Sequence, residues 1–91
     1  MYIIKTTPSF LRTAKKFFKR HPELRERFAT IIELLRKNPT APVLKIHALT
    51  GELKGLHAIS LTYKYRITLI IRITEKTIIL VDVGSHDEVY R

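Results

Sequence analysis

The run YRITLIIRITEKTIILVDV, residues 65–83, decides the fold. Its first half alternates: Tyr65, Ile67, Leu69, Ile71 and Ile73 fall on one side of an extended chain, and Arg66, Thr68, Ile70 and Arg72 on the other. Thr74-Glu75-Lys76 is a short polar break. Thr77 to Val83 then resumes with a β-branched run suited to a central strand. Two such runs joined by so tight a connection pair antiparallel, so the C-terminal half is a sheet.

Moving upstream, Leu56 to Leu61 supplies another strand, Thr50-Gly51-Glu52 a turn, and Val43 to Leu49 a further short strand. Before Pro42 the period changes from two to that of a helix. Leu24, Phe28, Ile31, Ile32 and Leu35 mark the inward face of one helix, which ends near Lys37-Asn38-Pro39. Phe10, Leu11, Ala14, Phe17 and Phe18 mark another, with Arg12, Lys15, Lys16, Lys19 and Arg20 on its opposite face. His21-Pro22 separates them, because the residue before proline avoids the helical region. Thr7-Pro8-Ser9 opens the first helix with a hydroxyl cap and a proline in the first turn. Tyr2 to Thr6 is a leading strand. The expected class is α+β: an N-terminal strand, a helical hairpin, then an antiparallel sheet of three to four strands. One sheet face packs on the hairpin and the other, with Arg66 and Arg72, faces solvent or a ligand.

The 91 residues form one domain, 1–91, with no repeat or linker, and at this length a thin single core is expected. The outlying property is charge: 17 lysines and arginines against eight acids give +9. Such a field concentrates polyanions and speeds encounter with them, which favours nucleic acid, an acidic protein or an anionic surface as partner. With no cysteine, disulfides and thiolate metal sites are excluded. The start MYIIKTTPSF lacks the pattern of a secretory signal, and no apolar run is long enough to span a bilayer, so a soluble cytoplasmic protein without membrane contact is expected.

Chemistry is narrowed by elimination. The three glycines do not form a phosphate-cradling loop, and the four histidines lack the close spacing of zinc ligands, so neither metal nor small-molecule cofactor is expected. Nothing arranges Ser60 or Ser85 with a histidine and an acid. What remains is a set of cations and histidines in the C-terminal half: Lys45, His47, Lys54, His57, Lys64, Arg66, Arg72 and His86. Strand alternation brings several onto one face. The set suits RNA cleavage through the ribose 2′-hydroxyl, where a histidine moves a proton and cations stabilise the phosphorane charge. Tyr63, Tyr65 and Tyr90 offer stacking surfaces, Tyr65 being the most core-like of them. In the ending VGSHDEVYR, Gly84 is expected to permit the backbone turn that presents His86.

Three segments, HALTGELKG (47–55), YKYRITLIIRI (63–73) and VGSHDEVYR (83–91), together resemble the RelE/ParE toxin superfamily, especially its RelE/YafQ-like messenger-RNA interferases. The resemblance covers nearly the whole chain. It implies a RelE-like microbial ribonuclease-type fold and the toxin of a type II toxin–antitoxin pair, with a cognate antitoxin, the ribosome and mRNA as partners. By motif, His86 matches a general acid or base and Tyr90 the aromatic residue that holds substrate. Arg66 matches an arginine placed against the phosphate, and His47 a further active-site histidine. Lys45, Lys54, His57, Lys64 and Arg72 are the accompanying RNA-binding set. The chain departs from the YafQ-like pattern at Ser60 and Lys64, where that group has a histidine and an acid, and at Asp82, where it has an arginine. Three other readings stand beside the nuclease: a ParE-like gyrase inhibitor on the same fold, an inactive relative kept for partner binding, which Asp82 and Ser60 suggest, and a general RNA-binding module.

Overall fold

The computed structural model describes residues 1–90. Strand β1 (Ile3–Thr6) leads into helix α1 (Pro8–Arg20), and a single 3-10 turn at Pro22–Leu24 connects α1 to α2 (Arg25–Lys37). Strands β2 (His47–Ala48), β3 (His57–Ser60), β4 (Tyr65–Arg72) and β5 (Thr77–Ser85) follow, and the short helix α3 (His86–Val89) closes the described chain. The five strands form one sheet in the order β1-β5-β4-β3-β2. The antiparallel meander β2 to β5 is as expected, and β1 completes the sheet as an edge strand parallel to β5, from Ile3 opposite Thr77 to Thr6 opposite Leu80.

Local chemistry fixes the helices. The Thr7 hydroxyl accepts from the Phe10 N–H at 3.0 Å while Pro8 fills the first position, where no N–H is needed. Phe10, Phe17 and Phe18 of α1 are buried. Phe10 and Phe18 meet Phe28 of α2 at ring distances of 6.0 and 5.0 Å, which locks the hairpin together. Leu11, expected inward, lies at the edge of the apolar stripe and stays 59 % exposed. On α2, Ile31 and Leu35 are buried, while Glu33 pairs outward with Arg36 at 2.9 Å and Lys37 at 3.6 Å. The Arg36 guanidinium holds the Glu33 carboxyl below the usual carboxylate range.

The expected strand from Val43 to Leu49 is mostly absent. Pro42 starts a 3-10 turn over Pro42–Leu44, and Lys45 takes left-handed angles (φ 51°, ψ 42°), so extended pairing begins only at His47. A second departure lies inside β5. Thr68 opposes Asp82 but Leu69 opposes Leu80, leaving Val81 as the extra residue of a bulge. The bulge shifts the alternation by one, so that Ile78, Leu80 and Val83 all reach the core. There they join Ile59, Leu61, Ile67 and Leu69 from β3, β4 and the connection between them, against the helical hairpin. Among the described residues no helix is long and apolar enough to cross a membrane.

Candidate functional site

Residues directly opposite one another in an antiparallel pair share a face. The row Ile59, Ile67, Val83 belongs to the helix side. The rows between alternate with it: His47, Ala58, Thr68 and Asp82 in one, and Ser60, Arg66 and Gly84 in the next, although Asp82 at the β5 end turns to α1, where it accepts from Ser9 Oγ. The middle of this second face carries small side chains, Ala58, Thr68, Ser60 and Gly84, and Ala58, Thr68 and Gly84 are buried. His47 stands at one flank on β2, roughly 14 Å of backbone from β5 at a strand spacing near 4.8 Å. His86 and Tyr90 stand beyond the end of β5 at the other. His47 and the His86–Tyr90 pair therefore stand on opposite flanks of the sheet, with Arg66 between them.

The C-terminal pair is held firmly. Ser85 caps α3: its hydroxyl accepts from the Glu88 N–H at 3.3 Å, and the Glu88 carboxylate accepts from the Ser85 N–H at 2.8 Å. This reciprocal arrangement is a capping box, and its Ser-x-x-Glu spacing is visible in the sequence, although neither residue was read as a cap there. His86 occupies the first helical position with its ring 68 % exposed, and Tyr90 closes edge-on against that ring at 4.2 Å, its N–H bonded to the His86 carbonyl at 3.1 Å. Asp87 approaches His86 Nδ1 at 3.6 Å, an attraction present when the imidazole is protonated. Gly84 is not in the left-handed region, so backbone freedom is not its role. A Cβ there would meet Glu88 Oε1 at 3.0 Å and Glu88 Cβ at 3.2 Å, so glycine gives the capping carboxylate room to fold back onto β5.

Arg66 is half-buried, and its Nη1 serves the β3–β4 connection. It donates to the carbonyls of Thr62 at 2.7 Å and Tyr63 at 2.9 Å, with the Tyr65 carbonyl and Ser60 Oγ also within 3.3 Å. Two N–H bonds are all that Nη1 carries, so the two shorter contacts take them. Nε and Nη2 make no hydrogen bond among the described residues, and these remain for a ligand. Arg27 Nε of α2 donates to the Leu61 carbonyl of the same connection at 3.0 Å. Sequence reasoning missed this second arginine, whose partner lies 34 positions away.

The expected RNA-binding set divides. His47 is exposed, its Nδ1 3.0 Å from the Lys45 carbonyl, and exposed Lys45 precedes it on the Ser60 side. Lys64 is exposed on the β3–β4 connection, its ammonium 5.8 Å from the Tyr65 ring. Three residues do not join. His57 pairs with Leu69, which places it on the helix side, and its Nδ1 is buried without a partner among the described residues. Lys54 caps the Gly51–Leu53 turn beyond the opposite end of β3. Arg72 shares a face with Arg66, but six residues of strand, roughly 20 Å, separate them. Tyr65 is a packing residue, its ring 4.9 Å from Phe17 and 4.8 Å from His21.

A cleft of about 360 Å³ opens between α1 and the β5–α3 junction, lined in part by Lys16, Phe17, Arg20, Asp82 and Val89. Neither His86, Tyr90 nor Arg66 lines it. Asp82, the departure from the expected arginine, belongs to this cleft and accepts from Ser9 Oγ of α1 at 3.4 Å. No group of three or more histidine and acidic residues able to hold a metal occurs among the described residues.

Comparison with known proteins fits this geometry. YafQ from Escherichia coli strain BL21(DE3) superposes with a TM-score of 0.83 over 100 % of both chains at 19 % identity. A metal-bound toxin from Helicobacter pylori gives 0.82 at 30 % identity, covering 99 % of this chain and 100 % of its own. The YafQ of an E. coli DinJ–YafQ toxin–antitoxin complex gives 0.80 at 20 %, over 99 % and 98 %. No curated protein matches the sequence significantly. The family described as bacterial toxin of type II toxin–antitoxin system, YafQ, matches residues 2–91. With a RelE/YafQ-like fold and a family match across its length, the chain belongs to the YafQ family of type II toxin–antitoxin toxins.

Proposed function

We propose that the protein is a ribosome-dependent mRNA endoribonuclease restrained by a cognate antitoxin. The observation that carries the reading is His86: an imidazole 68 % exposed, yet fixed by a capping box on one side and the Tyr90 ring on the other, just beyond the strand end where Arg66 opposes Gly84. An exposed histidine normally sweeps through rotamers. One held this way is preorganised to move a proton at a fixed point.

In the reaction the ribose 2′-oxygen attacks phosphorus as its proton passes to a base. The P–O5′ bond breaks, and the leaving 5′-oxygen takes a proton from an acid, giving a 2′,3′-cyclic phosphate and a 5′-hydroxyl. His86 supplies one of the two proton transfers. His47, exposed on the β2 flank of the sheet, is the candidate for the other. Arg66 Nε and Nη2, with Lys45 and Lys64 nearby, offset the charge that builds on the phosphorane oxygens. Side-chain acid–base and cationic groups suffice for these steps, so the mechanism is metal-independent. The charge of +9 serves ribosome encounter, and an antitoxin with an acidic segment would cover the same surface.

The test is single-turnover cleavage of ribosome-bound mRNA. His86→Gln should slow cutting by about 10²–10⁴-fold, the usual worth of a positioned acid or base, with ribosome binding unchanged. A variant that cuts at the wild-type rate removes His86 from the chemistry. Intact mRNA accompanied by gyrase-linked DNA breaks replaces the nuclease reading with the ParE-like one.

A further inference from the structure

Tyr63 is 93 % exposed, the most exposed large side chain of the protein's described hydrophobic set. Single exposed apolar residues are ordinary and need no explanation. The backbone beneath this one is not ordinary. The connection Leu61–Lys64 is only four residues long, yet two arginines from different elements hold it, Arg66 at the Thr62 and Tyr63 carbonyls and Arg27 at the Leu61 carbonyl. The Thr62 hydroxyl accepts from the N–H groups of Lys64 and Tyr65 at 3.3 and 3.2 Å, and Ser60 Oγ donates to the Thr62 carbonyl at 2.9 Å. The ring therefore projects into solvent from a pinned base, next to exposed Lys64. Its position is also specific. Tyr65 opposes Ser85, so Tyr63, two residues before β4, and His86, one residue after β5, leave the hairpin at the same end.

We infer that Tyr63 is a stacking platform for an unpaired RNA base next to the cleaved phosphate, with Lys64 as its phosphate contact. The inference extends the nuclease reading by adding a binding residue to its substrate path. An exposed aromatic ring offers a π-face that any base can cover, and a neighbouring cation neutralises the phosphate that the base brings with it. Because the turn is already ordered, stacking incurs little further loss of conformational freedom. The clamp also gives Arg66 a second task, that of presenting Tyr63, which charge alone would not require.

The full chain contains no tryptophan, so Tyr63→Trp adds a single fluorescent reporter at the site. In a His86→Gln background, which removes cutting from the assay, titration with single-stranded oligouridylate should quench this tryptophan. An RNA duplex of the same length should not, because its bases are already stacked. Tyr63→Ala should weaken oligouridylate binding by about 5- to 100-fold and Tyr63→Phe should restore it. Absence of quenching, equal quenching by duplex, or wild-type affinity in Tyr63→Ala overturns the proposal. So does a Tyr63→Ala protein that keeps its RNA affinity but loses affinity for an antitoxin, which would make Tyr63 a protein anchor. The two readings fail separately: quenching by a protein that never cuts ribosome-bound mRNA supports the platform and removes the nuclease. Normal cutting by Tyr63→Ala with no quenching in Tyr63→Trp removes only the platform.

Discussion

The β4–β5 hairpin has an arginine on the same face at each end, and the two ends use it differently. At the Tyr65–Ser85 end, Arg66 is half-buried and its Nη1 holds two turn carbonyls below 3.0 Å. At the Arg72–Thr77 end, Arg72 is exposed and its one charged contact among the described residues is Glu75 at 3.9 Å across the Thr74–Lys76 turn. Near Arg66 are gathered the capped α3, His86, Tyr90 and the pinned Leu61–Lys64 connection. Near Arg72 stands Ile73, 67 % exposed. Alternation places both arginines on one face, but it does not say which end of the strand becomes a site. That is settled by what each end is joined to: a helix cap and a two-arginine clamp at one end, a three-residue turn at the other.

The largest expected effect follows from removing the clamp. Arg66→Ala leaves the Thr62 and Tyr63 carbonyls without their charged donor, and hydrogen bonds to charged groups contribute about 1.5–3 kcal/mol. For a domain of this length that is a fall in melting temperature of roughly 10 °C. Cleavage should fall with it, since a phosphate contact and the turn are lost together. Arg66→Lys sharpens the point, because it keeps the charge but not the fork. Thermal melts and cleavage rates on both variants separate the roles. If lysine restores cleavage yet not stability, the phosphate contact and the clamp are distinct; if alanine melts like wild type, the clamp has no energetic weight.

Much of this architecture was legible in the sequence, and the failures have physical causes. Long alternating runs announced β4 and β5, and the phenylalanine spacing announced α1, because burial imposes those periods directly. The strand expected from Val43 failed where a proline and a left-handed Lys45 overrode an apolar pattern. His57 and Arg72 were grouped with the site because residue type is visible in a sequence whereas face and depth along a strand are not. His57 is one register step from His47's row and so faces the helices. Arg27 could not have been found at all, since its partner is set by tertiary packing. The Ser85–Glu88 cap was available in the sequence, and its Ser-x-x-Glu spacing was the overlooked sign that His86 begins a helix.

The capping box gives the next effect. Gly84→Ala places a methyl 3.0 Å from Glu88 Oε1 and 3.2 Å from Glu88 Cβ, inside normal contact. Glu88 must move, and the cap it makes to the Ser85 N–H opens; a lost cap with local overpacking costs about 1–2 kcal/mol. The melting temperature should drop by less than for Arg66→Ala, while cleavage suffers more than stability does because His86 rides on the displaced turn. Equal melting and equal cutting would show that α3 adjusts freely and that His86 needs no such support.

The smallest effect should come from the other end. Arg72→Ala removes a side chain that is 52 % exposed, whose partner Glu75 is 62 % exposed at 3.9 Å. Pairs of that kind contribute about 0–1 kcal/mol, and salt screens them further. Its melting temperature should therefore match wild type within error, and cleavage of ribosome-bound mRNA should be unchanged. The sensitive measurement is the salt dependence of RNA binding. Each phosphate contact adds about 0.7 to the slope of log affinity against log salt for a single strand. A residue roughly 20 Å along the strand from Arg66 has no phosphate to touch if RNA stays at the His86 end. The slope should stay constant in Arg72→Ala and become shallower in Arg66→Ala. Equal losses in both variants would mean that RNA runs the length of the hairpin, and that the whole face, rather than one end of it, is the binding surface.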